Sequence, residues 1–504
     1  MKSLLSKIIF LGLFAIVSSC ENVLEVEPVG QAVVDNVYTD VNGAINGINA
    51  AYNPLTNLYS GGLIPMVRIA HLASDDAYTW RAATQVQSFI TTSADPDLER
   101  IWEMSYQGIN NCNVVLNRVP DVDFNDDPAL QNSILGQAYF LRAFNYFNLV
   151  RLFGGVPILL EETTTVNEAK RERATVEATY SQIIDDLNNA VQLLPEVSAY
   201  NGSTGRERGR ASKGSANALL AWVNLTIENW QEAISAADNV ISSGQYELFE
   251  NYADNFYGTN ENGTESLFEV QFGNLGSPTS NSLEYFGHPS LISGNGQYAE
   301  IATSNNVNTG IVKASGGGIG LVDDFEAGDT RFDVAISYYD FTESVVVPNG
   351  PPDPLVNKYF VGTEFLGNAS PINFPILRYA DLLLIKAEAL NEINGGDSEA
   401  VNIINNLIRE RAGLGPLSSD ITSNQTTFRA AIWKERRTET AFEAKRFFDL
   451  NRTGRLSERI AQQGVTISAA KITSHPITQK PQFLFAIPFS EIVTNELITQ
   501  NPGY

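Results

Sequence analysis

The chain has 504 residues, and 33 Lys plus Arg set against 58 Asp plus Glu give it a formal net charge of −25. Such a surface repels phosphate backbones and argues against a nucleic-acid partner. Hydrophobic residues at 43% with 18% charged residues exclude wholesale disorder and leave ample material for a large core.

At the start, Lys2 and Lys7 flank and precede an apolar run from Ile8 to Val17, and Val17-Ser18-Ser19-Cys20 reads like a bacterial lipobox. A run that short cannot cross a hydrocarbon core of roughly 30 Å, which needs about 20 helical residues. Residues 1–19 are therefore expected to be a cleaved signal, with lipid on Cys20 and the rest of the polypeptide in water. An ordinary secretory signal is the alternative. Loss of Lys2 and Lys7 with the leader makes the mature chain still more acidic. With Cys20 lipidated, Cys112 is the remaining thiol; no internal disulfide can form, and Cys112 is expected to be a small buried hydrophobe.

Helical spacing follows in chain order. Tyr38 to Tyr59 and Leu98 to Val119 carry apolar residues at i, i+3 and i+4, as an amphipathic pair would. Between them Ser74-Asp-Asp-Ala-Tyr-Thr-Trp-Arg81 is polar, and no helical stripe demands Trp80. Leu135 to Leu152 shows an aromatic and aliphatic stripe closed by Gly154, Gly155 and Pro157, and Thr179 to Leu194 repeats the pattern up to Pro195. A further pair runs from Ser215 to Gly244, broken at Asn229, and another from Arg378 to Leu414, turning at Gly395-Gly396. The recurring plan of aromatic, small Ala, short break and Ala again is that of tetratricopeptide-like hairpins with irregular period. Four such hairpins would bury a continuous right-handed core. Trp102, Trp222, Trp230 and Trp433 sit in these patterns and are expected in that core.

Between about 246 and 375 the helices give way to Asn, Gly, Ser, Pro and aromatic residues. Ser266 to Phe272 alternates like a strand, and Val345 to Pro354 must be extended because proline forbids helix there. Gly316 to Gly320 lacks the GK[ST] ending of a phosphate loop and reads as a flexible loop. His71, His288 and His475 show no metal-ligand spacing and no GxSxG elbow accompanies them, so they are read as structural; no metal or cofactor is expected. The charge-dense stretch from Glu435 to Arg455 has acids and bases at helical spacing, which predicts ion pairs and buried Arg contacts that orient the C-terminal segment.

Taken together these segments resemble the SusD/RagB family of Bacteroidetes surface lipoproteins. The resemblance rests on LEVEP at 24–28 behind the lipobox, GQAYFLRAFNYFNLVRLFGGVPIL at 136–159, NFPILRYADLLLIKAEALNE at 373–392, ERRTETAFEAKRFFDLNRTG at 435–454 and IPFSEIVTNELITQNPGY at 487–504. It implies a mainly α protein. Residues 20–504 would form one domain, with four tetratricopeptide-like hairpins forming a right-handed superhelical scaffold over about 38–245 and 376–504, and a loop-rich ligand region with a few short strands over about 246–375. It also implies a non-catalytic role at the outer membrane, facing the cell exterior, and a SusC-like TonB-dependent transporter as partner, met through the helical side.

Sugars present apolar C–H faces and polar edges, so they are held by aromatic platforms flanked by amides, carboxylates and Arg. In the family the loop between the first two helices often supplies such an aromatic, which singles out Trp80 as a ligand contact, loop packing being its other reading. Asp75, Asp76 and Arg81 are its polar neighbours, although acids beside a turn often only cap helices. Tyr285, Phe286, His288 and Tyr298 offer further rings in a glycine-rich stretch, and Tyr338, Tyr339 and Phe341 a weaker set that strand packing would explain equally well. Capture of an oligosaccharide is the leading expectation. Strong acidity suits a saline habitat, where salt screens dense surface charge, and on that basis alone marine β-glucans or other algal polysaccharides are the candidate polymers. Peptide capture of the RagB type is the alternative, and a glycoside hydrolase, which needs two carboxylates roughly 5–10 Å apart, is the third reading.

Overall fold

The structure is a computed structural model that describes residues 37–59, 65–78, 84–273, 301–302, 320–340, 345–346, 353–359 and 372–504. Its major helices are α1 (Val41–Tyr59), α2 (Pro65–Leu72), α3 (Pro96–Arg118), α4 (Pro128–Phe153), α5 (Val176–Leu193), α6 (Lys213–Thr226), α7 (Trp230–Ser242), α8 (Tyr379–Ile393), α9 (Ser398–Asn402), α10 (Gln425–Glu439), α11 (Arg446–Arg452) and α12 (Leu456–Gln462). The expected pairs form: α1 packs on α3, α4 on α5, α6 on α7, and α8 on α9 with its π-helical continuation Ile403–Arg409. Contacts of α3 with α4, α5 with α6, and α7 with α8 join the pairs into one scaffold.

Local chemistry sets the helix ends. Asp95 and Asp127 accept from the first free backbone N–H groups of α3 and α4, each just before a proline at the first helical position. Gly154 ends α4 at φ 76°, a conformation that costs a side chain strain.

The sequence stripe understates α4. Every residue from Phe140 to Phe153 is buried, so this helix is a central post and not an amphipathic surface helix. Its polar residues are accommodated by specific partners: Arg142 forks onto Asp186 at 2.6 and 2.8 Å, and Asn145 donates to the Leu141 carbonyl. Trp102 and Trp222 are buried as expected, while Trp230 and Trp433 are half-buried at its margin. Cys112 is a buried free thiol, and burial pushes its pKa up, which keeps it protonated. His71 and His475 are buried as well; His288 and residues 316–319 lie outside the described residues.

The strands are short. Five of them, β1 (Ala77–Tyr78), β3 (Ile301–Ala302), β4 (Ile336–Asp340), β5 (Val345–Val346) and β6 (Asp353–Val356), make one antiparallel sheet in the order β1-β3-β6-β4-β5. Strand β2 (Ser266–Val270) pairs with β7 (Phe374–Arg378) through a bulged register, and β8 (Ile472–Ser474) with β9 (Pro481–Phe483). The region between helices α7 and α8 therefore supplies most of the sheet, and Val345 to Pro354 contributes extended strands as its prolines require.

Candidate ligand-binding site

The stretch from Glu435 to Arg446 is a charged hub on which the strand roots converge. Arg378, at the end of β7, donates to Glu265 at 2.7 Å, Glu439 at 3.0 Å and both oxygens of Glu443 at 2.7 and 2.9 Å. Lys358, just beyond β6, reaches Glu443 at 2.6 Å and the Ala441 carbonyl at 2.8 Å. Arg331, ahead of β4, bonds Asp329 and also Glu435 at 3.0 Å. The π-helix aims Arg409 at Glu326 and Glu435. Apart from the half-exposed Glu326, these groups are buried. Burial alone would raise the carboxylates; the surrounding Arg411, Arg378 and Arg331 instead pull Glu439 down to about 2, and burial pulls the Lys358 ammonium down to about 8. The turn is held at a backbone cost, with Phe442 at φ 60° and Ala444 at φ 55°.

The same hub takes up Asp75 and Asp76, just before β1. Expected as polar partners of a ligand, they are instead buried at 1% and 2% exposure. Asp75 accepts from Arg446 at 2.6 and 2.9 Å and from Arg459 at 2.7 Å, and Asp76 accepts from Arg437 at 2.8 Å, which also bonds Asp324 at 2.5 Å. Against the burial penalty, Arg437, Arg446 and Arg459 hold the Asp75 carboxyl below the usual range, whereas burial raises that of Asp76. A buried carboxylate requires this kind of pairing, so the two acids anchor the segment leading into Trp80.

The sheet register sets where the chain enters and leaves two of its strands. Register pairs Ala77 with Ala302 and Tyr78 with Ile301. The chain that continues toward Trp80 and Arg81 therefore leaves β1 beside the point where the chain coming from Tyr298 enters β3. In β4, Tyr338 lies opposite Pro354 and Tyr339 opposite Asp353. Trp80, Arg81, Tyr285, Phe286, Tyr298 and Phe341, like His288, lie outside the described residues, as does Cys20.

A second surface escaped the sequence reading. A groove of about 410 Å³ runs between α3 and the segments 157–169 and 490–491, with Trp102 and Tyr106 in its wall and Glu99, Glu103 and Glu491 along it. Of the eight large hydrophobic side chains that stand exposed among the described residues, Leu160 and Val166 lie in the first of these segments, Phe489 adjoins the second, and Val493 and Leu497 follow it in the chain. Helical spacing placed Trp102 in the core but could not show that its edge meets a groove; exposed apolar residues in a loop and a six-residue helix leave no periodic signal. Among the described residues no three His, Cys, Asp or Glu side chains gather as a metal-binding group, and no helix is long and apolar enough to cross a membrane.

This mainly helical fold with a few short strands matches SusD superfamily structures. One from Parabacteroides distasonis superposes with a TM-score of 0.72 at 26% identity, covering 92% of this chain and 98% of its own. Another, described as a laminarin-binding SusD-like protein, gives a TM-score of 0.71 at 27% identity over 93% of this chain and 100% of its own. The sequence profile of the SusD family matches residues 354–504, and a profile described as starch-binding associating with outer membrane matches residues 31–225. SusD-like protein P2 of Formosa agariphila is 30% identical, with 99% of each chain covered. This chain belongs to the SusD family.

Proposed function

We propose that this protein is a non-catalytic, lipid-anchored binding protein of the outer membrane, tethered through Cys20 and facing the cell exterior. In this reading it captures an oligosaccharide and delivers it to a SusC-like TonB-dependent transporter. The observation that carries the ligand reading is the β1–β3 register, which starts the Trp80 segment and ends the Tyr298 segment side by side on a base clamped by buried ion pairs. Trp80 is the proposed platform, Arg81, Tyr285, Phe286, His288 and Tyr298 supply further contacts, and Asp75 and Asp76 act as positioning residues. The ligand class follows the laminarin-binding relative, and a β-glucan is the first polymer to test. Commitment of Asp75 and Asp76 to arginines supports binding over hydrolysis, because it removes the carboxylate pair closest in sequence to Trp80 from acid–base work. The transporter reading is supported by the acid-rimmed groove and by the exposed Leu160, Val166 and Phe489 in or next to its walls, apolar exposure of the kind that marks protein contacts.

Calorimetric titration with laminari-oligosaccharides, a wider glycan panel and basic peptides tests the ligand. Saturable heat with a β-glucan is expected. Binding of peptides alone transfers the protein to the RagB type, and release of reducing ends makes it a hydrolase.

A further inference from the structure

Arg151, in the last turn of α4, is buried at 7% exposure. Its Nε donates to the Phe147 carbonyl at 3.1 Å and its Nη2 to Asn148 at 2.6 Å, while Nη1 is buried without a partner. No carboxylate among the described residues pairs with it. Its charge faces the rings of Phe147 at 3.8 Å, Phe448 at 4.0 Å and Trp222 at 4.5 Å, which offset part of the desolvation cost but accept no N–H.

Beside this guanidinium lies a cavity of about 20 Å³ lined by Arg151, Tyr180, Arg452, His475 and Gln482, with no Asp or Glu in its wall. That volume suits one water or one monatomic ion. His475 Nδ1 accepts from the Ile477 and Thr478 backbone N–H groups, both at 3.2 Å. In the neutral ring the proton then sits on Nε2, as a second donor. The wider neighbourhood is also rich in cations. Glu388 and Asp449 serve Arg436 and Arg452, and Arg455 stacks on Trp433 at 3.7 Å. A water would satisfy the orphaned N–H but leave the buried charge without a counter-ion in contact, since Asp449, shared with Arg436 and Arg452, acts on it only from a distance, and an unpaired buried charge is the costlier fault.

We propose that this cavity is a monatomic anion site, taking chloride or bromide against Arg151 Nη1. The site lies in the helical scaffold and is independent of the glycan reading.

The test uses the whole protein and sodium salts as probes. Crystals soaked in sodium bromide are expected to show an anomalous peak in contact with Arg151 Nη1, and unfolding in sodium chloride is expected at a higher Tm than in sodium gluconate of equal ionic strength. The salt difference should vanish in Arg151→Met. If that variant fails to fold, the bromide map and the wild-type salt series decide alone. Water in place of bromide, or equal Tm in the two salts, overturns the proposal. Glucan titration repeated in gluconate should be unchanged, so loss of the anion site and loss of glycan binding register separately.

Discussion

Asp75→Asn tests the assignment of an expected ligand group to a structural anchor. The substitution keeps the shape and removes the charge that Arg446 contacts at 2.6 and 2.9 Å, Arg459 at 2.7 Å and Arg437 at 3.3 Å. An amide offers one acceptor where the carboxylate offered two, so at least one guanidinium contact becomes N–H against N–H. Removing one partner of a buried ion pair costs about 3–5 kcal/mol. Asp76 remains at 2.8 Å from Arg437 and 3.8 Å from Arg446, which places the expected loss at the lower end, near 3 kcal/mol. Asp324→Asn, whose side chain is 20% exposed, should cost less, on the order of 1 kcal/mol. Urea unfolding followed by circular dichroism measures both, with a lower midpoint and an unchanged slope expected. Glucan affinity, measured well below the transition, should fall through mispositioning of the segment after β1. An Asp75→Asn protein as stable as the parent but unable to bind would refute the reasoning and return Asp75 to the ligand.

Trp80→Ala should weaken glucan binding roughly 30-fold, about 2 kcal/mol of lost aromatic burial, with little change in Tm. Trp222→Ala removes a ring 5.3 Å from Phe147 and should cost about 3–5 kcal/mol of stability, so calorimetry and thermal unfolding separate the two. Glu439, held at about 2 against an ordinary 4.5, stabilises the fold fully above pH 4.5 and progressively less as pH falls toward 2; acid titration of the Glu439→Gln protein should show a shallower loss over that window. Cys20→Ala should leave the protein absent from the outer-membrane fraction. Phe489→Asp with Val493→Asp alters side chains 60% and 65% exposed, so folding and glucan affinity should persist while co-purification with the TonB-dependent transporter is lost.

The helical pairs were legible because burial against a neighbour imposes a 3.6-residue period, and α1, α3, α5 and α7 obey it. Helix α4, buried on all sides as α6 nearly is, shows the limit: residues such as Arg142 and Asn148 look solvent-facing until Asp186 and Arg151 are known to meet them. The charge-dense C-terminal stretch was correctly expected to hold buried Arg contacts, since acids and bases at helical spacing can pair. Its partners were not legible. Asp75, Asp76, Glu265 and Lys358 are far from it in sequence, and no local pattern announces a pairing such as Arg446 with Asp75. The candidate rings fall where composition alone speaks, in glycine-rich and proline-rich loops without period.

That distribution has a physical reason. A buried ion pair adds little net stability over a hydrophobic contact of the same volume, yet the hub commits Arg331, Lys358, Arg378 and Arg437 to such pairs. What a guanidinium fork supplies is register: Arg378 meets Glu443 through two nitrogens at 2.7 and 2.9 Å, and sliding the strand by one residue would break both bonds and bury the charges unpaired. Apolar side chains would tolerate the slip far better. The base of the sheet is thereby held in one register by charge pairing, whatever the chain beyond it does. The cost is borne by the turn at Phe442 and Ala444, whose left-handed backbone keeps the Ala441 and Phe442 carbonyls on Lys358 and Tyr359.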